Sequence, residues 1–169
     1  MTLELNNEYL WKQTERFDFY NPQIDPKELV EMLSEAMIRL NGIGLSCNQV
    51  GLPYRVFIMG DPKDASSIIP VFNPDIIHYS DEQELAEEGC LSFPNYTVDV
   101  KRPKEIRTRI STIDGNRDSA RFTGITARIF QHEYDHMDGI DFRKRASRFH
   151  KERADKKYKQ FLRRQKRAA

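Results

Sequence analysis

Apolar residues at Leu29, Val30, Leu33, Met37 and Leu40 recur every three or four positions, the period of a helix with one buried face. Asp25-Pro26-Lys27-Glu28 supplies its start: Asp25 can cap, proline suits the first helical position, and Glu28 sits where a capping box wants an acid. Asn41-Gly42 supplies the stop, so the pattern predicts a helix over 26–40. Tyr54–Met59 is a largely apolar run and predicts a buried strand, ended by Gly60-Asp61-Pro62. A second strand, Ile68–Phe72, is expected to stop at Asn73-Pro74. Pro94-Asn95 breaks the chain before a short strand at Tyr96–Val100. Ile106, Thr108, Ile110 and Thr112 alternate through Glu105–Ile113, which reads as a half-buried strand. Asp114-Gly115-Asn116 is a hairpin turn, and Arg117–Phe122 pairs back.

A further helix is expected over Thr126–Met137, with Ile125, Ile129, His132 and His136 along one stripe on its buried face and Gly139 beyond its end. A last helix, Ser147–Arg164, is basic and weakly amphipathic. Residues 1–24 mix aromatic and polar side chains and read as an irregular arm packed on the body. The whole predicts an α+β fold: short, mostly antiparallel strands around one central helix, flanked by an N-terminal and a C-terminal helix.

At 169 residues, 38% hydrophobic and 31% charged, the chain is long enough for one ordinary core. No run approaches a membrane span, and Met1–Asn6 has neither the basic start nor the apolar stretch of a signal peptide. A cytoplasmic protein is the expectation. The net charge of +1 hides an asymmetry. Residues 143–169 hold 13 Lys/Arg against 2 acids, and the first 142 hold 14 against 24, so an acidic body carries a basic tail. The two cysteines, Cys47 and Cys90, are too few for a disulfide scaffold.

The chemistry concentrates in Gln131-His132-Glu133-Tyr134-Asp135-His136, a His-Glu-x-x-His pattern. On a helix, His132 and His136 share a face and can hold one metal ion, with Glu133 placed as a general base. The third ligand separates the metal hydrolases. A metzincin would continue to a histidine at position 142, which here is Phe142. A thermolysin-like enzyme would use a downstream carboxylate, but beyond 142 only Glu152 and Asp155 occur, both in the basic helix. Cys90, in Glu88-Gly89-Cys90-Leu91-Ser92, is the better donor.

Three stretches in order resemble the signature motifs of the peptide deformylase family. Gly42-Ile43-Gly44-Leu45-Ser46-Cys47-Asn48-Gln49 resembles its Gly-x-Gly-x-Ala-Ala-x-Gln. Glu88–Ser92 matches its Glu-Gly-Cys-Leu-Ser, and Gln131–His136 its Gln-His-Glu-x-Asp-His. The resemblance covers roughly 7–148 and implies a catalytic domain over 1–148 with a basic C-terminal helix or tail over 149–169. It implies a divalent metal on Cys90, His132 and His136, Fe²⁺ in the cell and Zn²⁺, Ni²⁺ or Co²⁺ in preparations. It implies Glu133 as the base, and the Gln49 amide and Leu91 N–H as oxyanion donors. The implied substrate is the N-formyl-methionyl end of nascent peptides, with formate as product. Ser46-Cys47 departs from the family's Ala-Ala, and both stay small.

Beside that resemblance, Gly44 would let the backbone approach a substrate, while Ile43, Ile125 and Ile129 are candidates for the methionine pocket. Arg102 is a candidate partner for Glu88, and Asp135 for orienting a ligand histidine or anchoring the helix. The tail suits ribosomal RNA; no DNA or membrane partner is expected, and the origin fits a bacterium or a phage. A zinc protease and a catalytically silent ribosome binder are the other classes, both separated from this one by activity on a formyl-methionyl peptide.

Overall fold

A computed structural model describes residues 3–168. Helix α1 runs Pro26–Arg39, with the Asp25 side chain accepting from the N–H groups of Lys27 and Glu28. Leu29, Leu33, Ala36 and Met37 form its buried face. The stop is made by Asn41 rather than Gly42: Asn41 takes the left-handed conformation at φ 53°.

Strands β1 (Gly44–Ser46), β2 (Val56–Met59), β3 (Ile69–Tyr79), β6 (Glu105–Ser111) and β7 (Arg117–Thr123) make one antiparallel sheet in the order β1-β2-β3-β6-β7. β2 is buried on both faces, which explains its unbroken apolar run. Val56 and Ile58 join the core shared with α1; Phe57 and Met59 join the core shared with helix α2 (Gly124–Met137). The sheet is therefore a layer between the two helices. β4 (Gln83–Cys90) and β5 (Phe93–Pro103) form a separate two-stranded sheet, and α3 (Arg148–Ala168) lies on it. Ala154 and Tyr158 of α3 pack with Tyr96, Val98, Val100 and Phe142.

The α+β architecture agrees with the sequence reading; helix and strand ends shift by a few residues, and three strands depart further. β3 does not stop at Asn73-Pro74. It bulges there, with Asn73 at φ 47° and a register shift between Phe72 and Asp75, and then pairs on to Tyr79. A bulge tolerates proline because it leaves a residue outside the ladder. β5 likewise runs through Pro94 and Asn95, the latter at φ 64°. β4 was not expected as a strand, because its inward position at Glu88 is a carboxylate rather than an apolar group.

The arm packs as expected. Phe17 is buried, and its N–H and carbonyl are both held by the Asn73 side chain. Thr14 donates to the carbonyl of Met137 at the end of α2, and the Asn6 N–H donates to the carbonyl of Gln49. Gly139 turns at φ 69° directly against the arm: a Cβ there would lie 2.6 Å from the Trp11 carbonyl oxygen.

Candidate active site

Helix α2 is buried along Ala127, Arg128, Gln131, Asp135 and His136, and its side chains meet the end of β4. The 3.6-residue period places Arg128, His132 and His136 on one stripe. Cys90 Sγ lies 3.2 Å from His136 Nε2, and the ligand atoms of Cys90, His132 and His136 all fall within 4.8 Å of one another. One sulfur and two imidazole nitrogens at this span suit a single divalent transition-metal ion.

The other ring nitrogen of His132 is engaged. Nδ1 lies 3.1 Å from Glu88 Oε2, and since a carboxylate only accepts, Nδ1 carries the proton. Glu88 is itself gripped by Arg102, through Nε at 2.6 Å and NH2 at 3.0 Å, and by Arg128 NH1 at 2.7 Å. Burial alone would raise the Glu88 carboxyl; the hydrogen bonds from His132 and Arg102, with the Arg102 charge, outweigh it and hold the group down at about 2. Arg102 also donates to Asp135, which Arg145 caps from the other side. Asp135 thus reaches His132 indirectly, through Arg102 and Glu88.

Glu133 is buried, and its Oε2 has no hydrogen-bond partner among the described residues. Burial pushes its carboxyl up to about 7, against the lowering effect of His132, Ser46 and Arg102. Its neighbour across the gap is Gly44. A Cβ on Gly44 would come 2.9 Å from Cδ and 3.0 Å from Cγ of Glu133, so glycine is required by the general-base candidate itself. Gly42 plays the same part for Leu91, whose Cδ1 would lie 2.6 Å from an added Cβ.

Gln49 is fixed by its oxygen, which accepts from the Ser46 N–H and hydroxyl at 3.0 and 2.9 Å. Its NH₂ group therefore faces Cys90 Sγ at 3.5 Å and Ser92 Oγ at 3.1 Å. Leu91 borders the same space. A cavity of about 450 Å³ opens from here, walled by Ile43, Leu91, Pro94, Ile125 and Ile129, with His132 and Glu133 at its inner end. Ile125 departs from the expected buried stripe: it is 63% exposed, and Ile43 51%, so both stand at the rim.

The structure brings Ile43, Gly44, Gln49, Cys90, Leu91, Ile125, Ile129, His132 and Glu133 around one cavity; His136 does not line it and lies against Cys90. Sequence reasoning missed Arg128, which bonds Glu88 and two backbone carbonyls, and Asn48, which holds the carbonyl of His136. Arg128 carried one usable signal, its place one turn before His132.

The family model for polypeptide deformylase matches residues 2–152. The chain belongs to that family. It is 43% identical over 114 residues to a peptide deformylase of Pseudothermotoga lettingae, covering 68% of this chain and 64% of that protein. It is 37% identical over 143 residues to a chloroplastic/mitochondrial peptide deformylase of Arabidopsis thaliana, covering 83% of this chain and 51% of the relative. A plant peptide deformylase crystal structure superposes with a TM-score of 0.85 at 30% identity, covering 99% of this chain and 92% of that one. The Thermotoga maritima peptide deformylase structure gives a TM-score of 0.77 at 33% identity, covering 87% of this chain and 99% of that one. The deformylase fold therefore extends over nearly the whole chain, α3 included in the plant comparison.

Proposed function

We propose that this chain is a metal-dependent hydrolase that removes the N-formyl group from the terminal formyl-methionine of newly made polypeptides. The observation that carries the reading is the convergence of Cys90, His132 and His136 beside the buried carboxylate of Glu133, whose Oε2 has no partner among the described residues, with Cys90, His132 and Glu133 lining a largely apolar cavity.

Cys90, His132 and His136 would hold one divalent ion: Fe²⁺ in the cell, with Zn²⁺, Ni²⁺ or Co²⁺ taken up in preparations. When bound, that ion supplies Lewis acidity and brings a water's pKa toward neutrality. Glu133 takes the proton from the attacking water as its oxygen bonds to the formyl carbon. The oxyanion on that carbon accepts from the Gln49 NH₂ group and the Leu91 N–H. Glu133 then delivers its proton to the amine nitrogen as the C–N bond breaks, leaving formate and a free amino terminus. Ile43, Ile125 and Ile129 receive the methionine side chain, and Gly44 leaves Glu133 room to reach the attacking water. A formyl carbon bears only hydrogen, so the close approach of Gly44 and Glu133 excludes bulkier acyl groups.

The site residues belong to a catalytic domain over 1–148, and residues 149–169 add a second element. α3 carries many exposed basic side chains, among them Lys151, Arg153, Lys156, Lys159 and Arg163. This helix suits ribosomal RNA near the point where formylated chains emerge, in the cytoplasm of a bacterium or of a phage's host. Ribosome co-sedimentation is expected at low salt and is expected to fall steeply as salt rises. Binding insensitive to salt, or none at low salt, removes the RNA part. The activity itself is tested by mass analysis of formyl-Met-Ala-Ser incubated with metal-loaded protein, which is expected to yield Met-Ala-Ser and formate.

A further inference from the structure

The three metal-ligating residues come from two pieces of structure that share no sheet. His132 and His136 ride on α2, while Cys90 ends β4, in a hairpin that among the described residues forms its own two-stranded sheet. The relative position of α2 and this hairpin therefore sets the ligand geometry. Arg128, one turn before His132, spans the gap. Its NH1 donates to Glu88 Oε1 at 2.7 Å and to the Val100 carbonyl at 3.0 Å, and its NH2 donates to the Glu84 carbonyl at 2.7 Å. One guanidinium thus binds α2 to both strands, and the planar fork of arginine is what reaches three acceptors at once.

The same side chain borders the apolar cavity and is only 7% exposed. Burying a charge against a pocket of isoleucines is unfavourable unless its partners are held closely. Here one partner, Glu88, also holds Nδ1 of His132. The wall of the cavity and the orientation of a ligand histidine are joined through two side chains.

We propose that Arg128 is a positioning and specificity-determining residue: it clamps α2 to the Cys90 hairpin and transmits filling of the cavity to His132. A side chain entering the cavity excludes water from the Arg128–Glu88 pair, which strengthens the pair in the drier surroundings. His132 is then held more firmly when the occupant is long enough to cover the guanidinium. The chain thereby selects a methionine-length side chain in kcat as well as in KM. This inference rests on the proposed deformylase reading for its substrate, but not for its metal arm.

The test compares wild type with Arg128→Met, Arg128→Lys and a surface control, Arg121→Met, whose target is exposed and pairs with Glu105. Metal-free protein is titrated with Co²⁺, following the thiolate-to-cobalt absorption that reports Cys90, with and without the product peptide Met-Ala-Ser. Co²⁺ affinity is expected to fall roughly 10–100-fold in Arg128→Met, less in Arg128→Lys and not at all in the control. The peptide is expected to perturb the wild-type cobalt spectrum and to leave that of Arg128→Lys unchanged. In turnover, the kcat preference for formyl-Met over formyl-Ala peptides is expected to shrink in both Arg128 variants. Unchanged Co²⁺ affinity with a loss confined to KM makes Arg128 a plain cavity wall and overturns the proposal. Should Arg128→Met not fold, the Arg128→Lys spectrum decides the matter alone: a peptide response equal to wild type overturns it. Absence of turnover in wild type with these cobalt results intact would count against the deformylase reading and not against the clamp.

Discussion

Glu88 Oε2 stands 3.1 Å from Nδ1 of His132. The contact fixes the tautomer of the His132 imidazole and turns its Nε2 toward Cys90 and His136, the group that could hold a metal ion. Arg102 and Arg128 hold the carboxylate in place, so the ligand is oriented by a buried ion network rather than by its own rotamer alone. Replacing Glu88 with Gln removes the charge and leaves one carbonyl oxygen to serve His132, Arg102 and Arg128 in place of two carboxylate oxygens. Metal affinity is expected to drop roughly 10–100-fold, read as metal retained against a graded chelator. Retention equal to wild type would contradict this role.

Glu133 should work against stability in the metal-free protein. Its folded pKa, about 7, lies above the unfolded value near 4.5, so folding favours the protonated form. Its penalty is absent below pH 4.5, grows as pH rises toward 7, and is complete above that. The gap corresponds to roughly 3 kcal/mol. Glu133→Gln imitates the neutral acid. Metal-free Glu133→Gln is therefore expected to be more stable than wild type in urea at pH 8 and equal to it at pH 4.5. A variant that is less stable at pH 8 refutes the argument.

Gly44→Ala is predicted to be an activity mutation rather than a folding mutation. The added methyl meets Glu133 at Cδ and Cγ, and Glu133 has to move away from the attacking water. A displacement of this kind costs on the order of 100-fold in kcat. The expected pattern is a large fall in kcat with a small shift in thermal midpoint; wild-type kcat in the variant is the contrary result.

The two cysteines should respond differently to metal removal. Cys47 is fully buried, and burial pushes its thiol well above the ordinary range. Cys90 borders the cavity. Iodoacetamide is expected to add once, at Cys90, to the chelated protein, and to be blocked by metal. Two adducts on folded protein, or one at Cys47, would show that the burial argument is wrong.

How much was legible follows from which residues carry apolar patterns. α1 was readable from the helical spacing of Leu29, Leu33 and Met37, β2 from its unbroken apolar run, and the β6–β7 hairpin from the alternation around Ile106 and the turn at Asp114-Gly115. β4 was not, because the inward position that would have announced it is Glu88, charged for the sake of His132. The continuation of β3 past Asn73-Pro74 was hidden because the bulge is stabilised from afar by Phe17 of the arm. In the site, the gathering of Cys90, His132, Glu133 and His136 was readable from motifs whose spacing suits metal coordination. Ile125 looked buried by helical period, yet the cavity mouth opens at that turn and leaves it exposed. Arg128 has no motif of its own; its role depends on carbonyls of two strands that are distant in sequence.

The central claim is deformylation by Glu133 beside a metal on Cys90, His132 and His136. Its most direct measurement is formate release from a formyl-Met peptide by protein prepared without oxygen and loaded in turn with Fe²⁺, Ni²⁺ and Zn²⁺. Turnover that requires metal and falls by 10²–10⁴-fold in metal-loaded Glu133→Gln is the predicted result. Metal bound at full occupancy with no formate released, or a Glu133→Gln variant as fast as wild type, would contradict it.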